Sequence, residues 1–360
     1  MRLNSAACIV ILTALACSLA LVGCGSPGAA NVAPAARSHS YSAEPVVPDV
    51  RTPRYRLTGP YTHANLTVYL VHGAQSPHPK VMTLQEALDK KLAVVHETDN
   101  VGKLSIENRA ADCDIFIHSG DIVKGGKQDR VLTTDLIVPR GTSRVAVESL
   151  CVEQSRWSKR GREDERSFSS SSDQAAGKNL KLAARSKKEQ TVVWSEVQKN
   201  QDKLKKNVRT EVRSSASQSS YQLTLEHGAV KQKTEDYVRS LSPVAGRHGD
   251  TVGYVFAING KINACELYAS HELFLKFWPK LLKASAVEAL TEYDGKPFGA
   301  VTNSDLVSLF SDVENAQEQV VTAGRTRIVT KETRDHILFD THDTAATTPV
   351  LPMHRSYIRK

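Results

Sequence analysis

Residues Val252–Tyr268 read VGYVFAINGKINACELY, two alternating runs of apolar residues joined by Asn259-Gly260. Asn-Gly suits a two-residue type I′ turn, in which both central residues need positive φ, so this stretch predicts an antiparallel hairpin. The next segment sets the fold class. Ser270 is an N-cap for HELFLKFWPKLLKASAVEAL, whose Leu273, Phe274, Phe277, Trp278, Leu281 and Leu282 make a broad apolar helical face, with Pro279 expected to kink the helix or mark an internal start. A hairpin with a bulky helix to cover it points to an α+β fold, and the stripe reads as core.

Towards the amino end, ANLTVYLVHG predicts a strand on which Leu66, Val68 and Leu70 alternate with other residues. Thr83-Leu84-Gln85-Glu86 fits a capping box opening a short helix. Between Leu92 and Glu153, LAVVHE, KLSIEN, CDIFIHSG, RVLTTDLIVP and RVAVESLCVE are separated by turn residues, which predicts a β-rich antiparallel amino-terminal half of meander or sandwich type. Arg156–Arg213 is different: it places Val193, Val197, Leu204 and Val208 on one helical face beside Trp194. Its sixteen Lys and Arg against eight Asp and Glu give an excess equal to the +8 of the whole chain. A solvated amphipathic helix is the plainer reading, and a docking surface for anionic lipid headgroups the sharper one. Nucleic acid is not expected as a partner, because the interleaved aromatics that stack on single strands are missing.

Past Tyr293, SDLVSLFSDVENAQEQV is amphipathic, and residues 321–360 read as a polar tail in which VLPMHRSYIRK is loosely held. The expected plan is a single α+β domain over residues 55–320, with the hairpin and the carboxyl-terminal helix packed on the β-rich half. In a chain of 360 residues that is 40% hydrophobic, a core of that size is within reach.

The first residues carry one positive charge, and Ala6–Val22 then run without any, ending in Leu21-Val22-Gly23-Cys24. This is an export signal over residues 1–23 whose end resembles the lipobox of bacterial lipoproteins. Cys24 is the expected lipidation site, since its thiol forms the thioether to diacylglycerol and its freed amino group takes a further acyl chain such as palmitate. Two or more chains anchor stably where one does not. An uncleaved membrane helix is the alternative, for which the apolar run is short. Residues 24–54, rich in Ala, Pro, Ser and Gly, read as a flexible tether. Gly25 in place of Asp points to the outer membrane, so the expected location is the cell envelope. Three cysteines remain in the mature chain, Cys113, Cys151 and Cys265, which allow at most one internal disulfide.

Two stretches carry candidate chemistry. GDIVKGGKQDR, Gly120–Arg130, looks like a phosphate loop but has Gly126 where the lysine belongs, Gln128 where Ser or Thr belongs, and a strand instead of a helix behind it. It is a strand and a Gly125-Gly126 turn flanked by donors. CVEQSRW, Cys151–Trp157, groups a thiol, a carboxylate, an amide, a guanidinium and an indole. No histidine in the sequence is nominated as a base for Cys151. HELFL lacks the second zincin histidine, and His336, Asp340, His342 and Asp343 are a loose grouping, so no metal and no cofactor is called for.

LQEAL, GGKQDR with LIVP after it, CVEQSRW, the Trp194 segment, GYVFAING and FWPKLL occur in this order over about Tyr55–Leu290. With them the chain resembles the domain associated with ADP-ribosylglycohydrolases and rhodanese-phosphatases, a family with no settled activity. Members tend to have Asn where Asp129 stands and Gly where Ser155 stands. The site expected from these pieces joins Lys127, Gln128, Arg130, Glu153, Gln154, Arg156 and Trp157 around an anionic, nucleotide-like ligand, with arginines on phosphate and Trp157 stacked on a base or ribose. The competing reading is a buried Arg–Glu network that staples two strands. A ligand- or partner-binding lipoprotein, a hydrolase or transferase of nucleotide or ADP-ribose-type substrates, and a structural envelope protein all remain open.

Overall fold

The structure is a computed structural model that describes residues 49–346 and 351–360. The export signal, Cys24 and nearly all of the tether lie outside the described residues. The described residues belong to one unit with both helices and many antiparallel strands, an α+β fold whose amino-terminal half is β-rich.

The hairpin is the centre of a nine-stranded antiparallel sheet. Thr251–Ile258 and Lys261–Tyr268 pair through a turn in which Asn259 and Gly260 have φ of 50° and 72°. On one side the sheet continues through Leu66–Gly73, Tyr55–His63 and Val50–Arg51. On the other it continues through His354–Arg359, His336–Asp343, Thr326–Glu332 and Glu318–Ala323. The long helix His271–Thr291 is capped by Ser270, runs through Pro279, and lays Phe274, Phe277 and Trp278 against Leu66, Val68, Tyr254 and Phe256. The opposite face is covered by the helix Asn303–Ser311, whose Leu306 and Phe310 meet Tyr69, Val71, Val255 and Tyr357. Leu66–Gly73 is therefore buried on both faces, and the expected one-sided alternation is absent.

Two expectations for the ends are corrected. Residues 321–360 are no loose tail, because His354–Arg359 pairs with both Lys261–Tyr268 and His336–Asp343 inside the sheet. The charges that suggested a tail are matched within the sheet: Arg355 faces Asp340 across the strand pair and grips both its oxygens at 2.7 and 2.6 Å. The folded part also begins before residue 55, since Val50–Arg51 already pairs with Arg56 and Leu57.

The β-rich half closes into a six-stranded barrel in the order Val145–Cys151, Lys103–Asn108, Ala93–His96, Ser167–Ala175, Asp121–Gly125, Arg130–Leu132. This replaces the expected meander or sandwich. Closure depends on Val145–Cys151, whose first four residues pair with Lys103–Asn108 and whose last three pair with Arg130–Leu132. It also depends on Ser167–Ala175, a serine-rich strand inside the segment read as helical. Phe168 fills the barrel core beside Val95, Ile106, Val123 and Leu132. Gly126 makes room for it, since a Cβ there would lie 2.2 Å from the Phe168 ring. The expected helix over Val193–Val208 is present as Gln190–Val208.

RVLTTDLIVP is split at Asp135. Arg130–Leu132 stays in the barrel, whereas Leu136–Val138 joins Asp114–Ile117 and Val81–Thr83 in a small second sheet. The Thr83–Glu86 capping box is present on the short helix Leu84–Asp89.

Candidate functional site

Three groups of polar residues stand out, and they differ in burial. The first contains the residues expected from sequence. Six of the seven meet at the Gly125-Gly126 turn of the barrel. Arg130 is fully buried, donates from Nη1 to the Cys151 sulfur at 2.8 Å and to the Gln128 carbonyl at 3.3 Å, and lies 3.5 Å from Glu97. Arg156 reaches Glu153 at 2.7 Å and Asp129 at 3.7 Å. Trp157 is 43% exposed, with the Lys127 ammonium and the Arg130 guanidinium each 5.4 Å from its ring, and Lys127 is paired with Asp99 at 2.5 Å. Gln154 turns away into a separate groove with Trp194 and Gln201, its backbone bonded to Ser219.

A residue not singled out from sequence, Arg160, completes this cluster. It binds both oxygens of Asp129 at 2.9 and 3.0 Å and reaches Glu163 at 2.8 Å. Arg130, Arg156 and Arg160 thus face Glu97, Asp129, Glu153 and Glu163, and an anion would find every guanidinium already matched by a carboxylate. Burial pushes Glu153 upward, but Arg156, Ser217 and Arg160 together outweigh it and hold the carboxyl below its usual range. The Cys151 thiol is pushed up to about 11, by burial foremost and against Arg130, away from the lowered values of reactive thiols. All three described cysteines are free and buried. Ser155 has φ of 72°, a left-handed conformation in which glycine carries no steric cost.

The second group is open. A cavity of ≈ 450 Å³ lies at the hairpin turn, lined by Lys178, Lys203, Lys261 and Lys296, by Asn263, by Glu288, Glu292 and Asp294, and by the exposed ring of Phe298. Lys203 is held by Glu292 at 2.6 Å. Lys261 and Lys296 carry no ion pair among the described residues. Asn263 is 5% exposed and its Oδ1 has no hydrogen-bond partner, although its side chain also bonds Glu288. Burial raises the Glu288 carboxyl above its usual value and lowers the Lys178 ammonium below its own. A protonatable acid and a less firmly charged lysine therefore share one wall.

The third group is sealed behind the sheet, where the barrel meets the hairpin. His354 stands between two carboxylates, with Nδ1 2.8 Å from Asp135 and Nε2 2.8 Å from Glu266. His118 Nε2 lies 3.3 Å from His354 Nε2, and Lys181 binds the other oxygen of Glu266 at 2.8 Å. Arg185, carried inward by the single π-helical turn Ala183–Lys187, stacks 3.7 Å over Phe339 with a nitrogen 3.9 Å from Asp135. Such turns recur at functional sites. Burial alone would lower His354, yet Asp135 and Glu266 hold it above its ordinary value; His118 is pushed well below by burial, then by Lys181 and His354. Sequence reasoning missed this group. Its one signal was Glu266 in the otherwise buried run ACELY.

The His336, Asp340, His342 and Asp343 grouping does not assemble. Asp340 is held by Arg355, Asp343 by Arg325 at 2.6 Å through both oxygens, and His336 points to Asp312. No described helix is long and apolar enough to cross a membrane.

Together these features define a β-rich α+β domain, with a closed small barrel joined to a wide antiparallel sheet and charged groups at the junction. The model of the ARG and Rhodanese-Phosphatase-superfamily-associated Protein domain matches residues 54–347, and the chain belongs to that family. No curated protein and no solved structure matches it.

Proposed function

We propose that the protein is an exported lipoprotein, held at the cell envelope through acyl chains on Cys24, that binds an anionic, phosphate-bearing ligand of nucleotide-like form. The anchor rests on the sequence before Cys24. The ligand is assigned to the open cavity at the hairpin turn and not to the Lys127–Trp157 cluster, where internal carboxylates already take up the guanidinium groups. One observation carries this reading: a cavity of nucleotide size gathers four lysines against three carboxylates, with a buried amide oxygen that has no partner among the described residues and an exposed aromatic ring. Ammonium groups bind phosphate as point charges, and Phe298 offers a face for a base or ribose.

The test is calorimetric titration of the full chain, in detergent, with inorganic phosphate, ADP and ADP-ribose. Saturable binding that weakens with salt is expected for at least one of them. The reading fails if none binds, or if Lys261→Glu with Lys296→Glu leaves binding intact.

A hydrolase or transferase acting on the same ligand is the second reading, favoured by Glu288 and Lys178. An acid with a raised pKa beside a lysine with a lowered one is the pairing that proton transfer requires. Chromatography of the titrated ligand separates the two: consumption that stops in Glu288→Gln while binding persists supports catalysis, and an unchanged ligand supports the binder.

A further inference from the structure

We infer that His118, Glu266 and His354 form a binding site for one divalent transition-metal ion, zinc by donor chemistry. This site is independent of whatever occupies the cavity at the hairpin turn. One nitrogen from each histidine and one carboxylate oxygen lie within 4.8 Å of one another, and the three residues are 1%, 2% and 0% exposed.

The spacing is close to that of ligands around an ion. Bonds of about 2.0–2.1 Å at tetrahedral angles put ligand atoms about 3.3 Å apart. The two Nε2 atoms face each other at 3.3 Å, as two ligands of one ion would, whereas Glu266 Oε2 at 2.8 Å from His354 Nε2 sits at hydrogen-bond distance and would have to open by about 0.5 Å to ligate. Hydrogen bonding alone satisfies this arrangement poorly. A single hydrogen on His354 Nε2 would have to serve both Glu266 and the lone pair of His118. A metal ion accepts all three lone pairs at once.

The surroundings match those of metal-ligating groups. A ligating histidine commonly gives its other ring nitrogen to a carboxylate that fixes its tautomer, and Asp135 is placed for this at 2.8 Å from His354 Nδ1. Asp135 is itself held by the Ser119 amide at 2.7 Å and the Thr341 hydroxyl at 2.5 Å. Lys181 binds Glu266 Oε1 and leaves Oε2 for the ion. Lys181 and Arg185 each lie against one of these carboxylates, so part of the negative charge that would face an ion is already offset. Tyr268, 3% exposed, stacks on the His354 ring at 4.9 Å between centroids and helps fix its orientation. Two nitrogens and one oxygen suit a transition metal better than calcium or magnesium, which take oxygen ligands.

The ion would tie together three segments far apart in the chain: the end of Asp114–Ile117, the hairpin strand and His354–Arg359. The experiment is elemental analysis of the full chain, purified in detergent without chelator, followed by chelation and reloading with zinc or cobalt. About one zinc per chain is expected, with a lower unfolding temperature after chelation, recovery on reloading, and the visible absorption of cobalt bound to nitrogen ligands. Asp135→Asn should weaken zinc affinity about 10- to 100-fold, as loss of an outer carboxylate does. His118→Gln should abolish uptake, and circular dichroism checks that it folds. If that variant does not fold, the wild-type metal content and the cobalt spectrum still decide. Wild-type protein that holds no metal and takes up neither zinc nor cobalt would overturn the inference and leave a proton shared among His118, His354 and Glu266.

Discussion

The cluster around Arg160 and the cavity around Lys261 are built from similar charged residues and do opposite things. In the first, Asp129 and Glu153 have side chains wholly out of solvent and the guanidinium groups that meet them are at most 10% exposed, so every charge is matched within the protein. In the second, Lys261 and Lys296 reach water with no ion pair among the described residues. Charge that is matched and sealed holds strands in place. Charge that is unmatched and open is available to a ligand. Between these two clusters residue type does not separate the roles, and burial does.

The largest effect that could break this contrast is on stability. Arg160→Ala strands two buried carboxylates and should cost about 3–5 kcal/mol in urea unfolding while leaving ligand affinity unchanged in the folded fraction. A loss below about 1 kcal/mol would mean that water or another cation replaces the guanidinium. Next comes the double change Lys261→Glu with Lys296→Glu, which should weaken binding of the anionic probe at least about tenfold, or about 1.4 kcal/mol. Its stability should shift by no more than about 0.5 kcal/mol per exposed site, read by thermal melting.

Two smaller effects sharpen the same comparison. Ser155→Gly relieves a left-handed residue beside the sealed cluster and should stabilise by up to about 1 kcal/mol, part of the gain being offset by the freer unfolded chain. At the cavity, the affinity for an anion should rise as pH falls through the raised pKa of Glu288. Protonation there removes a negative charge that faces Lys178, Asn263 and Glu292. Affinity should fall again at alkaline pH as Lys178 loses its charge below the usual lysine range. Titrations at a series of pH values in wild type and Glu288→Gln check this, and the variant should lose the acid limb.

The Arg160 cluster was legible in part, because two short stretches carry most of its members, whereas Arg160 and Glu97 lie outside them. Gly125–Arg130 and Cys151–Trp157 are neighbouring strand ends, and CVEQSRW displays its carboxylate and guanidinium side by side. The hairpin, the Thr83 and Ser270 caps and the long helix were legible for the same reason, since each depends on residues a few positions apart. What sequence hid is what long-range pairing makes. Ser167–Ala175 has too few apolar residues to announce a strand and becomes one because Asp121–Gly125 and Ala93–His96 offer free edges. His354–Arg359 looked like a tail because its arginine partners lie a strand away. The His118–Glu266–His354 centre needed the pairing of His354–Arg359 inside the sheet before its side chains could meet.

The most direct test is a calorimetric titration of the full chain with ADP-ribose, run side by side on wild type, Lys261→Glu with Lys296→Glu, and Arg156→Gln. The account expects one salt-sensitive site in wild type, retained in folded Arg156→Gln and lost in the lysine pair. Binding that survives in the lysine pair and disappears from folded Arg156→Gln would contradict it and return the ligand to the Trp157 cluster.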